Sequence, residues 1–312
     1  MNIEKKIEKN VSLAEMTTFN IGGPAKYFVK VVNEQELKHA ILWAKTKNEK
    51  TYFLGGGSNV LINDDGVDGL VIKLNNKELS VKGEVIAAGA GVVFGQILEF
   101  SKERNLAGLE WAIGIPGTIG GAVRGNAGAY GGCIADLVKK VRVFNMSEMK
   151  FKNFDNEECK FSYRHSIFKD NANLIIWQIE LELSHSAESK IKQLMDKYLQ
   201  QRLKVQPKFP SAGCIFKNLI VDELPADNEI VKKAVKLNII KGGKLACGYI
   251  IDQLNFKGKK VGGALVSPDH SNFILNCDKA TAKDVKALIN EIKDKVKEKF
   301  GINLQEEVQY FG

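Results

Sequence analysis

Apolar positions along the chain recur with two periods, one near two residues and one near 3.6, and the changes between them outline the elements. Residues 26–33 read as a strand. Residues 34–48 follow as an amphipathic helix whose Leu37, Ile41, Leu42 and Ala44 are expected to face a core. A short strand at Thr51–Leu54 completes a β-α-β opening, and further strands are expected at 70–74, 85–88, 138–145 and 174–183, with a helix at 94–104. Residues 189–204 place Ile191, Leu194, Met195 and Tyr198 on one helical side. A last helix at 281–300 repeats Val285, Leu288, Ile289, Ile292 and Val296, with Asp278 or Thr281 able to cap it. The pattern predicts an α+β region over 1–188, a linking helix at 189–204 and a smaller α+β domain at 205–312, opened by the breakers Pro207 and Pro210.

With 312 residues, 44% of them hydrophobic, the chain is long enough to bury a sizeable core. No apolar run approaches the roughly 20 residues of a membrane span, and residues 1–6 carry no hydrophobic leader, so a cytoplasmic protein without membrane insertion is expected. The cysteines at 133, 159, 214, 247 and 277 lack the spacing of a metal site or a disulfide framework, and no metal is expected. The net charge of +8 points to anionic partners. Yet Lys283, Lys286, Lys293, Lys295, Lys297 and Lys299 are interleaved with acids as on a solvated helix face. No basic cluster is interleaved with aromatics, so a small polyphosphate fits better than a nucleic acid.

Two segments are built mainly of backbone. The first is Leu54, Gly55, Gly56, Gly57, Ser58 and Asn59. The second runs over 114–131 and includes Gly114, Ile115, Pro116, Gly117, Thr118, Gly120, Gly121, Asn126, Ala127 and Gly128. Glycines let the chain take positive φ or let another group approach closely, and successive bare N–H groups form anion-binding concavities. Either segment alone could be no more than a set of tight turns; two together, each after a β-like run, suggest cradles for one extended dinucleotide. Neither ends in the lysine and hydroxyl of a P-loop. A third segment, with Gly89, Gly91 and Gly95, resembles a Rossmann fingerprint but puts its last glycine one residue late, and is expected to be a strand-to-helix turn.

Taken in order, the segments 18–25, 54–61, 114–117 with 126–131, 161–166 (including Ser162, Tyr163, Arg164, His165 and Ser166), 210–218 (including Pro210, Ser211, Ala212, Gly213 and Cys214), 262–267 and 304–308 resemble those of the UDP-N-acetylenolpyruvoylglucosamine reductase family. The resemblance implies a two-lobed FAD-binding domain of the vanillyl-alcohol-oxidase (PCMH) type plus a smaller C-terminal α+β substrate domain. It implies non-covalent FAD held by the two glycine segments, NADPH as co-substrate and a UDP-sugar as substrate, in a chain expected to act as a monomer. By motif Arg164 matches the arginine that stabilises an enolate, Cys214 the proton donor, and Glu307 a carboxylate beside the same intermediate. Tyr163, Asn218 and His270 are carried over as substrate contacts. The commoner pattern has serine where this chain has Cys214. The thiol, with a free pKa of about 8.5, can still deliver a proton. The spacing between Arg164 and Cys214 resembles the shorter second type of the family, while 219–255 is an expanded segment with a polar excursion at 222–227. Two other readings of the same residues are an oxidase of this flavin fold and a nucleotide-binding module without catalysis.

Overall fold

The computed structural model describes residues 3–225 and 227–312, so Met1, Asn2 and Ala226 of the polar excursion lie outside the described residues. Two compact units form. One gathers the amino-terminal segment through Val11 with Ala25–Gly57 and Val67–Lys204; the other gathers Ser12–Pro24, Ser58–Gly66 and Val205–Gly312.

The first unit is built around two larger sheets, one of four strands and one of five. In the four-stranded sheet the order is Glu8–Ser12, Pro24–Val31, Val67–Leu74, Thr51–Leu54, and the last three strands run parallel. Parallel strands need a crossover, which the helix Glu34–Thr46 supplies. Asn33 caps it by accepting the Glu36 N–H at 2.9 Å. Leu37, Ala40, Ile41 and Ala44 pack onto Val29, Val31, Leu70 and Ile72. Leu42 does not join them and is 46% exposed. It follows Ile41 by one residue, a rotation of about 100° that carries it off the buried stripe.

The second sheet is antiparallel, in the order Lys150–Asp155, Val138–Asn145, Leu174–Glu182, Val85–Gly89, Leu79–Lys82. Helix Phe94–Lys102 buries Phe94, Ile97 and Leu98 in the core beside it. Helix Glu188–Leu203 adds Ile191 and Met195 to the same core, with Tyr198 partly buried against it.

In the second unit the strand Val60–Ile62 pairs in parallel with Gln309–Phe311, joining segments far apart in sequence. A three-stranded sheet of Lys260–Val261, Ala264–Val266 and Ile274–Asn276 packs with helix Ala282–Phe300, which buries Val285, Leu288, Ile289, Ile292 and Val296. The helix starts at a capping box in which Thr281 Oγ1 accepts the Asp284 N–H and Asp284 accepts the Thr281 N–H. Asp64 accepts two more orphan N–H groups, from Ala282 at 2.7 Å and Lys283 at 3.0 Å. Thr281, not Asp278, is the cap.

His270 packs its ring edge-on to Phe273 at 4.9 Å, and its Nδ1 accepts the Asn272 N–H. Burial holds its pKa below the ordinary 6.5, and Lys257 adds to that, while its own backbone contact and Asp252 act in the opposite direction.

Thr281→Ala is expected to cost about 1 kcal/mol, read as a lower urea midpoint at unchanged slope. Below a pH of about 6.5 the unfolded chain takes up a proton at His270 that the folded chain resists, so stability present at neutral pH falls as the solution is acidified. Urea midpoints measured from pH 7 to pH 5 should decline less steeply for His270→Gln than for the parent.

Candidate active site

Strand Thr51–Leu54 delivers the chain into Gly55, Gly56 and Gly57. A Cβ on Gly56 would lie 2.5 Å from the Cα of Gly117, and one on Gly55 would lie 2.8 Å from Thr118 Oγ1. The two glycine segments therefore touch backbone to backbone, which no side chain at Gly56 would permit. Gly57, Gly114 and Gly117 take φ of +66°, +71° and +109°. Thr118 Oγ1 is buried and has no hydrogen-bond partner among the described residues.

The segment containing Gly89, Gly91 and Gly95 is a strand-to-helix turn, and it has a clear job. Its carbonyls at Val92 and Ala90 accept the N–H groups of Ile119 at 2.9 Å and Gly120 at 3.0 Å. In return the Phe94 N–H donates to Gly117 O at 3.0 Å. These bonds fix the start of helix Ile119–Gly125, in which Gly120 leaves no room for more than a hydrogen because Ala90 Cβ stands 2.8 Å from where its Cβ would be. Gly121 is more open, its nearest neighbour being Thr118 Oγ1 at 3.8 Å. Before this helix, Ile115 closes a turn onto Ala112 O at 3.0 Å and leads into Pro116.

Asn126 ends that helix at φ +42° and is buried. Its Nδ2 donates to Ser162 O at 2.8 Å while its Oδ1 accepts the Ala135 N–H at 3.2 Å. Ala127 N–H returns to Ala122 O at 2.8 Å. Asn126 thus ties the second glycine segment to the turn that carries Tyr163 and Arg164.

That turn is closed by two bonds between Ser162 and His165, each 3.1 Å. Arg164 occupies it at φ +56°, a region whose cost for a residue with a Cβ is of order 1–3 kcal/mol. Its guanidinium is held at both ends of the problem: Nη2 donates to Gly128 O at 2.9 Å, and the group lies 5.4 Å from the Tyr163 ring. Lys169 Nζ donates to Arg164 O at 2.8 Å, and Ser166 Oγ to Arg124 O at 2.7 Å. Arg164 is partly buried rather than a free surface arginine.

In the second unit Cys214 begins an extended segment that is bonded on both edges. On one side Cys214 forms a bridge with Phe273, and the Ile215 N–H donates to Asn272 O at 2.8 Å. On the other, the Glu307 N–H donates to Ile215 O at 2.7 Å and Phe216 pairs with Glu306. Cys214 and Glu307 therefore sit on neighbouring segments of one small sheet, both partly buried. Asn272 fastens it: buried, it accepts the Phe216 N–H at 3.0 Å and donates to Phe216 O at 2.8 Å. Nothing in the sequence pattern singles out Asn272.

The adjacent residues Glu306 and Glu307 are tied to different parts of the unit. Glu306 accepts Lys293 Nζ at 2.7 Å, whereas the backbone carbonyl of Glu307 accepts Asn59 Nδ2 at 3.1 Å. Ser58 and Asn59 belong to this unit, and Asn59 O also accepts the Gln309 N–H at 3.0 Å. Asn218 Oδ1 accepts the Cys247 N–H at 3.2 Å. Burial pushes the Cys247 thiol well up, with Cys214 adding to the effect, so Cys247 is a neutral neighbour of Cys214. His270 lies across from the helix Cys247–Asp252, its ring 3.3 Å from where a Cβ on Gly248 would stand. Arg164, by contrast, belongs to the first unit. Among the described residues no cluster of His, Cys, Asp or Glu could hold a metal, and no helix is long and apolar enough to cross a membrane.

Comparison with known proteins bears on the family and the fold. Residues 206–311 match the family model of the UDP-N-acetylenolpyruvoylglucosamine reductase C-terminal domain, and residues 25–148 match that of an FAD binding domain. The chain is 38% identical to the UDP-N-acetylenolpyruvoylglucosamine reductase of Solibacter usitatus, over 98% of this chain and 97% of that protein. It is 34% identical to the protein of the same name from Clostridium perfringens, over 99% and 94%. The crystal structure of the Thermus caldophilus UDP-N-acetylenolpyruvylglucosamine reductase superimposes with a TM-score of 0.79 at 32% identity, covering 98% of this chain and 99% of that one. The α+β fold with a PCMH-type flavin domain follows, and with it the conclusion that this chain belongs to the UDP-N-acetylenolpyruvoylglucosamine reductase family.

Proposed function

We propose that the protein is the oxidoreductase that reduces UDP-N-acetylglucosamine enolpyruvate to UDP-N-acetylmuramate, a precursor of peptidoglycan, using FAD and NADPH in the cytoplasm. One observation carries most of this reading. The Arg164 guanidinium is tethered to the Gly128 carbonyl, so a fixed cation stands at the end of a backbone cradle whose family binds FAD.

The residues present suit that cofactor. A pyrophosphate oxygen would accept a hydrogen bond from the buried, unsatisfied Thr118 hydroxyl, and the open position beside Gly121 would let a ligand approach the backbone there. Leu54, Gly55, Gly56, Gly57, Ser58, Asn59, Gly114, Ile115, Pro116, Gly117, Gly120, Asn126, Ala127 and Gly128 complete the proposed FAD-binding set. When bound, FAD supplies the hydride, taken from NADPH and passed to the methylene carbon of the enolpyruvyl double bond.

The chain's own residues would do the rest. Hydride addition beside a carboxylate builds negative charge on the enolpyruvyl group. Arg164, whose orientation is set by Gly128 and the Ser162–His165 turn, would hold that charge with its planar fork. Cys214 would give the thiol proton to the adjacent carbon, breaking the S–H bond as the new C–H bond forms. Glu307, on the neighbouring segment, would hydrogen-bond the acid-like intermediate or orient the water that returns a proton to sulfur. Tyr163, Asn218 and His270 would contact the UDP-sugar, with Asn218 held by its bond to the Cys247 N–H.

Purified protein is expected to be yellow, to bleach on addition of NADPH without oxygen, and to regain colour when the enolpyruvyl sugar is added. Recovery by oxygen alone, with no response to the sugar, would point to an oxidase. Cys214→Ala should leave the rate of bleaching unchanged and slow recovery by about 100-fold, the usual scale of a lost general acid, while Cys214→Ser retains substantial turnover. Equal recovery rates in Cys214→Ala and the parent would remove the thiol from the reaction. Gly56→Ala should weaken FAD binding at least about tenfold, because its methyl would displace the Gly117 backbone; fluorescence titration of the apoprotein measures this.

A further inference from the structure

The far end of helix Glu188–Leu203 touches both ends of the second glycine segment. Tyr198 and Arg202 lie four residues apart on one face of this helix. The Tyr198 ring stacks on that of Tyr130, with centroids 5.0 Å apart and planes 14° from parallel. The Arg202 guanidinium also meets the Tyr130 ring, 5.4 Å from its centroid, in cation–π geometry. At the other end of the segment, a Cβ on Gly114 would fall 2.9 Å from Arg202 Cδ and 3.4 Å from Nε. The arginine stem thus fills the space that the glycine leaves, and its Nε and Nη2 are sealed from solvent.

Tyr130 is an unexpected residue for its position. It forms a two-residue hairpin turn with Gly131, at φ +54° and +92°, between the paired strands Gly128–Ala129 and Gly132–Cys133. Such turns favour Asn, Asp or Gly at the first place, since positive φ strains a residue with a Cβ. A large aromatic there costs local strain, and 37% of its surface stays exposed, so core burial alone does not account for it. What the ring gains is the sandwich with Tyr198 and Arg202. The same hairpin contains Gly128, whose carbonyl holds Arg164.

We propose that Arg202, with Tyr198 and Tyr130, is a positioning residue for the flavin: it braces the Gly114 turn against the Gly128–Cys133 hairpin, and so sets the affinity of the glycine segment for FAD. The brace rests on the FAD reading above, and it adds residues outside both glycine segments to what determines cofactor binding. A segment with so many glycines is conformationally free in isolation. Fixing both ends beforehand lowers the ordering cost that the cofactor would otherwise meet on binding.

The test is fluorescence titration of FAD into apoprotein, with the thermal midpoint of each apoprotein measured in parallel. Arg202→Met keeps much of the stem and removes the cation; it should raise the FAD dissociation constant at least tenfold with little change in the apoprotein midpoint. Arg202→Lys keeps a cation over Tyr130 and should stay within about threefold of the parent. Tyr198→Leu removes the stack and should raise the constant at least threefold, which provides a decision if Arg202→Met does not fold. A dissociation constant within twofold of the parent in Arg202→Met, or in Tyr198→Leu should that variant alone fold, would overturn the brace. So would Arg202→Lys no better than Arg202→Met, or losses of affinity matched by equal losses of apoprotein stability. A parent protein that binds no FAD would instead sink the FAD reading itself.

Discussion

The approach of Gly56 to Gly117, close enough that a single added methyl would stand 2.5 Å from a backbone carbon, is the constraint from which the first unit is built. Two stretches of bare chain gain little from packing one another, because glycine has no side chain to bury and loses the most freedom on folding. The surrounding structure therefore has to hold them. Helix Ile119–Gly125 is pinned by the carbonyls of Ala90 and Val92, Asn126 closes its far end, and Thr51–Leu54 enters from the parallel sheet. In the proposed reading a ligand's phosphates would complete the balance, and the buried Thr118 hydroxyl is one group that such a ligand would satisfy.

The residues proposed to hold charge and to move a proton stand on a different kind of support. Arg164 sits in a strained turn, with its charge oriented by one carbonyl of the glycine segment. Cys214 and Glu307 lie on adjoining extended segments that a buried asparagine, Asn272, holds by two side-chain bonds. Exchange of a hydroxyl for a thiol at position 214 changes the acidity of the side chain. Glu306, one residue away from Glu307, is paired with Lys293.

Much of this was legible in the sequence where periodicity carries it. Strands Thr51–Leu54 and Val138–Asn145 begin and end where the sequence reading puts them, and the final helix buries all five of its expected positions. Leu42 shows the limit of such reasoning, because one step around a helix moves an apolar residue from core to solvent. The pairing of Val60–Ile62 with Gln309–Phe311 was not legible, since a three-residue strand has no period and its partner is nearly 250 residues distant (309 − 60 = 249). For the same reason the segments Ser12–Pro24 and Ser58–Gly66 group with the carboxy-terminal residues through contacts that local pattern does not encode. Glycine segments announced themselves by composition, whereas Asn272, Tyr198 and Arg202 look like ordinary polar and helical residues until their neighbours are seen.

Amide hydrogen exchange with and without FAD tests the central claim at the atoms concerned. If bare backbone is the binding surface, adding FAD to apoprotein will slow exchange at residues 55–59 and 117–121 before any other region. Unchanged exchange at both segments, with protection appearing elsewhere, would contradict the account.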